Sequence, residues 1–389
     1  MSNKNLYKKA LNGDDLSLEE AQHLYTDFSL QILCEIGEKV RYKHVPEKRV
    51  SWQIDRNVNY TNVCISGCLF CNFHCRPDEK QKEYTTSLDE YKAKIAELKE
   101  LGGSQLLLQG GLHPKYDISF FETLFRKLKE IEPSLKLNAL GPPEVSHIAR
   151  LSKLTDEEVL IRLINAGLDT LPGAGAEILS ERVRKIISPA KPTAKQWCDV
   201  MRIAHRLNLS TTATMVYGHI ETIEERLQHL ITIRDLRKER PEGSPGFRAF
   251  ICWPMQIKGT KLSEIYQIKS EHFNKDRLFK GNEISEQSAE FLRTIAISRI
   301  ILNNIDHIQA SWLTVGIDAG KLSLHAGADD MGSIMIEENV VSATGLHNSL
   351  DARQMQDSIC DAGFEPWLRD QQYSEIKSDS PHNPYIQNL

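Results

Sequence analysis

The chain reads as an α/β protein, a parallel (βα) barrel of the TIM type with a helical extension in front. From about residue 50 onward one pattern recurs: a short apolar run, a loop, a capping signal and an amphipathic helix. The runs are apolar on both faces, which suits parallel strands covered by helices. Gly-rich and polar residues follow many of these runs, and in a barrel such strand ends converge on one site. An open doubly wound sheet also fits the alternation, but the number of decorated strand ends favours the barrel.

Residues 1–48 form the helical extension. Ser17 and Glu20 have the capping-box spacing, and Leu30, Ile32, Leu33 and Ile36 give the next helix an apolar face. The barrel is expected over 49–366. NVNYTNV is strand-like, and QLLLQ (105–109) ends in Gly110 and Gly111. KLNAL (136–140) ends in Gly-Pro-Pro, and GLDTLP (167–172) ends in Gly-Ala-Gly. TTATMVY (211–217) ends in Gly218, FRAFICW (247–253) ends in Pro254, and IQASWL (308–313) leads to Gly316. Capping boxes open helices at Ser87 with Glu90, Thr155 with Glu158, Thr193 with Gln196 and Thr222 with Glu225. After Ser87, the residues Leu88, Tyr91, Ile95, Leu98 and Leu101 make one buried stripe. ERPEGSPG (239–246) reads as a polar turn inside the barrel, and 367–389 as a polar tail.

The net charge of -5, without a dense basic run, argues against nucleic-acid binding. MSNKNLYKKALNGDD lacks the apolar core of a signal peptide, and no apolar run is long enough to cross a bilayer. A cytoplasmic protein with reduced thiols and no membrane partner is therefore expected. Of its eight cysteines, four (Cys64, Cys68, Cys71 and Cys75) crowd one short stretch, whereas Cys34, Cys198, Cys252 and Cys360 are scattered. That distribution suits a metal site and not a disulfide framework.

Cys64-Ile-Ser-Gly-Cys68-Leu-Phe-Cys71 spaces three thiols so that one compact loop can wrap an iron-sulfur cluster. Three ligands for four irons leave one iron open to a substrate. Gly67 gives the backbone room to turn. Zinc is a competing occupant, but it takes four ligands, usually as two paired knuckles, and only one dense group exists. Cys75 is the other alternative, as a fourth ligand closing an electron-transfer cluster. The ferredoxin run is spaced differently and ends in Cys-Pro, whereas Arg76 follows Cys75 here.

The loop resembles the signature of the radical S-adenosylmethionine superfamily. RNVNYTNVC (56–64), LQGGLHP (108–114), LPGAGAEIL (171–179), ATMVYGHIET (213–222), GFRAFICWP (246–254), ASWLTVG (310–316) and GADDMGSIMIEENVVSATG (327–345) extend the likeness. Together they resemble the branch acting on futalosine-type intermediates of menaquinone synthesis, with relatives in deazaflavin-cofactor synthesis. The stretch His74-Cys75 after Phe73 departs from the branch pattern, which bears on the cluster's surroundings and not on its ligands.

The resemblance implies a [4Fe-4S] cluster on Cys64, Cys68 and Cys71, with S-adenosyl-L-methionine on the open iron. Phe70 would lie beside the adenine. Gln109, Gly110 and Gly111 would hold the methionine amino group through backbone carbonyls, although Gly-Gly also makes plain strand-ending turns. Glu177 would bind the cofactor's ribose hydroxyls, or else stabilise a helix N-terminus. The implied reaction is cyclisation of dehypoxanthine futalosine: a deoxyadenosyl radical takes the ribose 4′ hydrogen, and the ribosyl radical attacks the benzoate ring. Aminofutalosine synthase and deazaflavin-cofactor chemistry are the neighbouring alternatives; a non-enzymatic electron carrier is the distant one. A flavodoxin or ferredoxin would supply electrons.

Because rearomatisation releases a proton, a base is needed. His113 and His219 follow strands closely and are candidates, as is Asp329. Asp55, Arg56, Tyr60 and Asn62 are candidates for a floor, and Trp253 and Trp312 for pocket walls or core. Glu337 and Glu338 read as a solvated helix start.

Overall fold

The computed structural model describes residues 2–256, 258–266, 279–280, 283–345 and 348–376. Three helices come first: α1 (Asn3–Asn12), α2 (Leu18–Asp27) and α3 (Leu30–His44). An extended stretch follows, β1 (Arg49–Gln53) and β2 (Asp55–Asn59), broken only at Ile54. Strand and helix then alternate: α4 (Leu88–Glu100), β3 (Gln105–Gln109), α5 (Ile118–Ile131), β4 (Lys136–Ala139), α6 (Pro142–Ser152), α7 (Asp156–Ala166) and β5 (Thr170–Leu171). Next come α8 (Glu181–Ile187), α9 (Ala194–Arg206), β6 (Ser210–Tyr217), α10 (Ile223–Lys238), β7 (Gly246–Pro254) and α11 (Lys261–Tyr266). A small antiparallel pair, β8 (Phe279–Lys280) and β9 (Glu283–Ile284), precedes α12 (Glu286–Ile301). The chain closes with β10 (His307–Gln309), α13 (Trp312–Val315), α14 (Ile317–Leu324), β11 (Asp330–Ser333), α15 (Ala352–Asp361) and β12 (Glu365–Leu368).

Ten strands form one parallel sheet in the order β12-β1-β11-β10-β7-β6-β5-β4-β3-β2. The sheet curls because β1 pairs with β11 and β12, while β2, one residue further on, pairs with β3. Its two ends are thus joined through a single covalent stretch. This is the α/β barrel architecture expected from the sequence.

Local signals translate directly. Capping boxes form at Ser17, Ser87, Thr155, Thr193 and Thr222, each hydroxyl accepting from the N3 amide. Tyr91, Ile95 and Leu98 are the buried stripe of α4. On α3, Leu33 and Ile36 turn inward, but Ile32 is exposed.

The helical extension is docked, not free-standing. Gly37 of α3 approaches the Ala326 carbonyl so closely that a methyl group there would collide with it. Arg41 donates to the Ala328 carbonyl at 3.1 Å, and Arg234 of α10 donates to the Leu16 carbonyl at 2.9 Å.

Two expectations are corrected, and three strands lay outside them. The IQASWL run is strand only to Gln309; Trp312 and Leu313 open α13. β1, β11 and β12 went unrecognised, being short and partly polar. The barrel also extends past 366: Glu365–Leu368 pair with β1, and Arg369 is buried. Of the expected 367–389 tail, 377–389 lie outside the described residues. Among the described residues no helix is long and apolar enough to cross a membrane.

Candidate cluster site and barrel cavity

The cysteine loop springs from the end of β2 and is stitched to the end of β3. Gly111 donates to the Thr61 carbonyl at 2.9 Å, and Ile65 donates to the Leu112 carbonyl at 3.1 Å. A side chain at Gly111 would strike the Val63 carbonyl oxygen, so only glycine lets the strands approach this closely. The loop closes on the backbone of Cys75, whose amide donates to the Asn62 carbonyl at 2.8 Å while its carbonyl accepts from Cys64 at 2.9 Å. Gly67 takes a φ of 59° at the turn.

Within the loop, the Ser66 hydroxyl lies 2.9 Å from Cys64 Sγ and 3.3 Å from Cys68 Sγ. The Leu112 amide donates to Cys64 Sγ at 3.3 Å. Such donors stabilise thiolate charge, as cluster ligands require. Burial pushes the Cys68 thiol up to about 11, and the nearby Lys191 ammonium pulls against it.

Among the described residues no three His, Cys, Asp or Glu side chains converge on one metal ion. A cluster does not ask for that convergence, because each thiolate binds a different iron; a single zinc ion does. The donor set, three neighbouring thiols with amide and hydroxyl donors among them, therefore fits a cluster. Cys75 Sγ faces elsewhere, toward the carbonyls of Arg76 at 3.4 Å and Glu79 at 3.3 Å. His74 instead bonds the Cys71 carbonyl through Nδ1 at 2.6 Å.

Below the loop lies a cavity of about 400 Å³ enclosed by the sheet. Strand periodicity dictates its lining, since alternate residues face inward. The wall from β2 to β6 carries Asp55, Asn57, Gln109, Asn138, Thr212 and Thr214 beside Leu107, Ala174 and Val216. The wall from β7 to β11 carries Ala249, Ile251, Trp253, Trp312 and Met331 beside Gln309, Ser311 and Ser333. A bulge sets that second wall. Thr211 pairs with Phe247 but Thr212 with Ala249, so Arg248 is the extra residue. A one-residue slip reverses which side chains point inward.

Phe70 and Glu177 line the end of the cavity nearest the cysteine loop. Lys191 Nζ sits 5.5 Å from the Phe70 ring centroid and 2.7 Å from Glu177 Oε1. Burial pushes Glu177 up, but the Lys191 and Arg184 charges outweigh it and hold the carboxyl below its ordinary value. Its Oε2 has no hydrogen-bond donor among the described residues. Ser180, not Glu177, caps α8, so the helix-terminus role for Glu177 does not apply. Gln109 Nε2 donates to the Leu140 carbonyl at 3.4 Å, and the Gly111 carbonyl accepts from Tyr60 at 3.0 Å. Beside Gly110 lies Glu144, a buried carboxyl that desolvation raises to about 7.

The far end of the cavity is plugged by the segment after β12. Arg369 donates to Asp330 Oδ2 at 2.6 Å and to Gln53 Oε1 at 2.7 Å. Its guanidinium lies 3.9 Å over Tyr373, which stacks on His307 at 3.7 Å. The residues of this floor were missed from sequence, Arg369 above all, because they follow a strand that pairs with one more than 300 positions earlier.

The three residues considered as a base do not line the cavity. His113 stacks on Tyr116 at 3.7 Å and accepts from the Lys115 amide. His219 is turned away, with Nε2 bonded to the Val216 carbonyl at 3.1 Å and Nδ1 3.2 Å from Glu221. Asp329 precedes β11, at the end of the barrel where strands begin, bonded to Arg299 and, at 2.5 Å, to His307. Burial raises Asp329, but His307 and Arg299 outweigh it and hold it at about 2. Asp329 is thus held in a buried ion pair, and the cavity lining includes neither it nor the two histidines.

Of the other candidates, Asp55, Trp253 and Trp312 do line the cavity. Arg56 faces outward to Glu97 and Glu337, and Asn62 bonds the Lys82 carbonyl. Glu338 accepts from the amides of Val340, Val341 and Ser342, as a helix-start carboxylate would, but Glu337 is held by Arg56 and Lys94 and is not the solvated carboxylate expected.

Residues 58–233 match the Radical SAM superfamily, and residues 244–382 match the CofH/MqnC C-terminal region. A cyclic dehypoxanthine futalosine synthase of Streptomyces coelicolor is 41% identical, covering 96% of this chain and 89% of that protein. One from Halalkalibacterium halodurans is 36% identical over 97% and 96%. A 5-amino-6-(D-ribitylamino)uracil–L-tyrosine 4-hydroxyphenyl transferase of Archaeoglobus fulgidus is 35% identical over 87% and 92%. Among solved structures, methylornithine synthase superposes with a TM-score of 0.68 at 19% identity, covering 94% of this chain and 98% of that one.

Proposed function

Because the chain belongs to the radical S-adenosylmethionine superfamily, in the branch carrying the CofH/MqnC C-terminal region, we propose that it cyclises dehypoxanthine futalosine for menaquinone synthesis. Cys64, Cys68 and Cys71 hold the [4Fe-4S] cluster. Once bound, the cluster supplies the electron that cleaves S-adenosylmethionine to a deoxyadenosyl radical. Glu177, with one oxygen lacking a donor, receives the cofactor's ribose hydroxyls, and Phe70 flanks the adenine. A flavodoxin or ferredoxin delivers the electron.

One observation carries the substrate reading: the cavity lining offers both amide and hydroxyl groups and two indole rings. Dehypoxanthine futalosine calls for both, with a ribose at one end and a benzoate ring at the other. Asn57, Asn138, Thr212 and Thr214 suit the ribose hydroxyls, and Trp253 with Trp312 suits the ring. The radical at the ribose 4′ carbon then meets the ring within one tethered molecule. The protein's task is to hold that near-attack shape and exclude water, which the Arg369 floor assists.

The test is anaerobic reconstitution with iron and sulfide, followed by reductant, S-adenosylmethionine and dehypoxanthine futalosine, with mass spectrometry of the products. Deoxyadenosine together with a cyclised product is expected. Turnover of tyrosine with 5-amino-6-(D-ribitylamino)uracil, and none of the futalosine compound, would reject the reading in favour of the transferase.

A further inference from the structure

Closing the new ring leaves a ring radical that must lose one electron and one proton to regain aromaticity. Three carboxylates line the cavity among the described residues: Asp55, Glu177 and Glu338. Glu177 is ion-paired to Lys191 and Arg184, and its open Oε2 is already assigned to the cofactor ribose. Glu338 spends both oxygens on the amides that follow it. Asp55 is different. Its Oδ2 accepts from Gln53 Nε2 at 3.0 Å and from Gln105 Nε2 at 3.4 Å, while Oδ1 is buried without a partner.

Asp55 also stands between β3 and β11, beside the floor. It pairs with Gln105 of β3, its amide donates to Ser333 Oγ at the end of β11, and its neighbour Gln53 accepts from Arg369. A substrate filling the cavity would therefore meet this carboxylate at the closure of the barrel.

We propose that the Asp55 carboxylate is the base that accepts the proton released when the cyclised ring regains aromaticity, an assignment that rests on the functional reading above. The unpaired electron leaves to a one-electron acceptor of the iron-sulfur class. The ring C–H bond breaks, its electron pair stays to complete the aromatic sextet, and the proton passes to Asp55 Oδ1. Burial supports the role by pushing Asp55 above the ordinary carboxylate value, against the Ser333 hydroxyl and the Arg369 charge.

Asp55→Asn keeps the shape and removes the acceptor. Iron content, S-adenosylmethionine affinity and melting temperature should match those of the parent. Cyclised product should fall about 100-fold, while deoxyadenosine release changes only a few-fold. Asp55→Glu, which keeps the carboxylate, should recover part of the product. An Asp55→Asn enzyme with the parental ratio of product to deoxyadenosine would overturn the assignment. So would one that loses both compounds in step while keeping cluster and cofactor affinity. A parent enzyme yielding no cyclised product would overturn the functional reading and the base with it.

Discussion

At the scale of single residues, the Cys75 thiol has its own partners, the carbonyls of Arg76 and Glu79, while its backbone closes the cysteine loop. The side chain can therefore be removed without opening the loop. Cys75→Ala should keep its iron and labile sulfide after reconstitution and cleave S-adenosylmethionine at the parental rate. Cys68→Ala should lose both. A cluster-free Cys75→Ala protein would show that the fourth thiol is a ligand. The spacing of the three ligands was legible because it is a local property, a few bonds of backbone around one centre. Which way His113, His219 and Asp329 face was not legible. A strand-end position names a face of the barrel but leaves the rotamer open, and one residue decides whether a group precedes or follows its strand.

At the scale of elements, the junction of β2 and β3 sets where the cluster sits. The tight approach at Gly111 couples the end of β3 to Val63 and Cys64. Gly111→Ala must push Val63 outward, at a cost of about 1–3 kcal/mol. The expected outcome is a lower melting temperature and a lower iron content after reconstitution, with the helical circular dichroism preserved. Full iron loading in that variant would mean that the junction does not position the loop. Helix starts were legible here since a capping box needs only four consecutive residues; the bulge at Arg248 was not, because it exists only relative to a neighbouring strand.

At the scale of the whole molecule, the barrel is a cup with a fitted floor. Arg369 and Asp330 are both buried, and their pairing holds the segment after β12 under the cavity. Arg369→Ala leaves Asp330 buried without its guanidinium, and loss of one member of such a pair costs about 3–5 kcal/mol. Urea denaturation of the cluster-free chain should show that loss as a lower midpoint. A midpoint within error of the parent would mean that the floor adds nothing to stability.

The sequence alone determined the alternation of strand and helix, the helix starts, and the triad of cysteines with its implied cluster. All of these are written in short-range spacing, where chain geometry leaves few choices. Tertiary structure alone decided what faces the cavity. Asp55, Ser333 and Arg369 come together only when the first and last strands of the barrel meet, and no local pattern encodes that meeting.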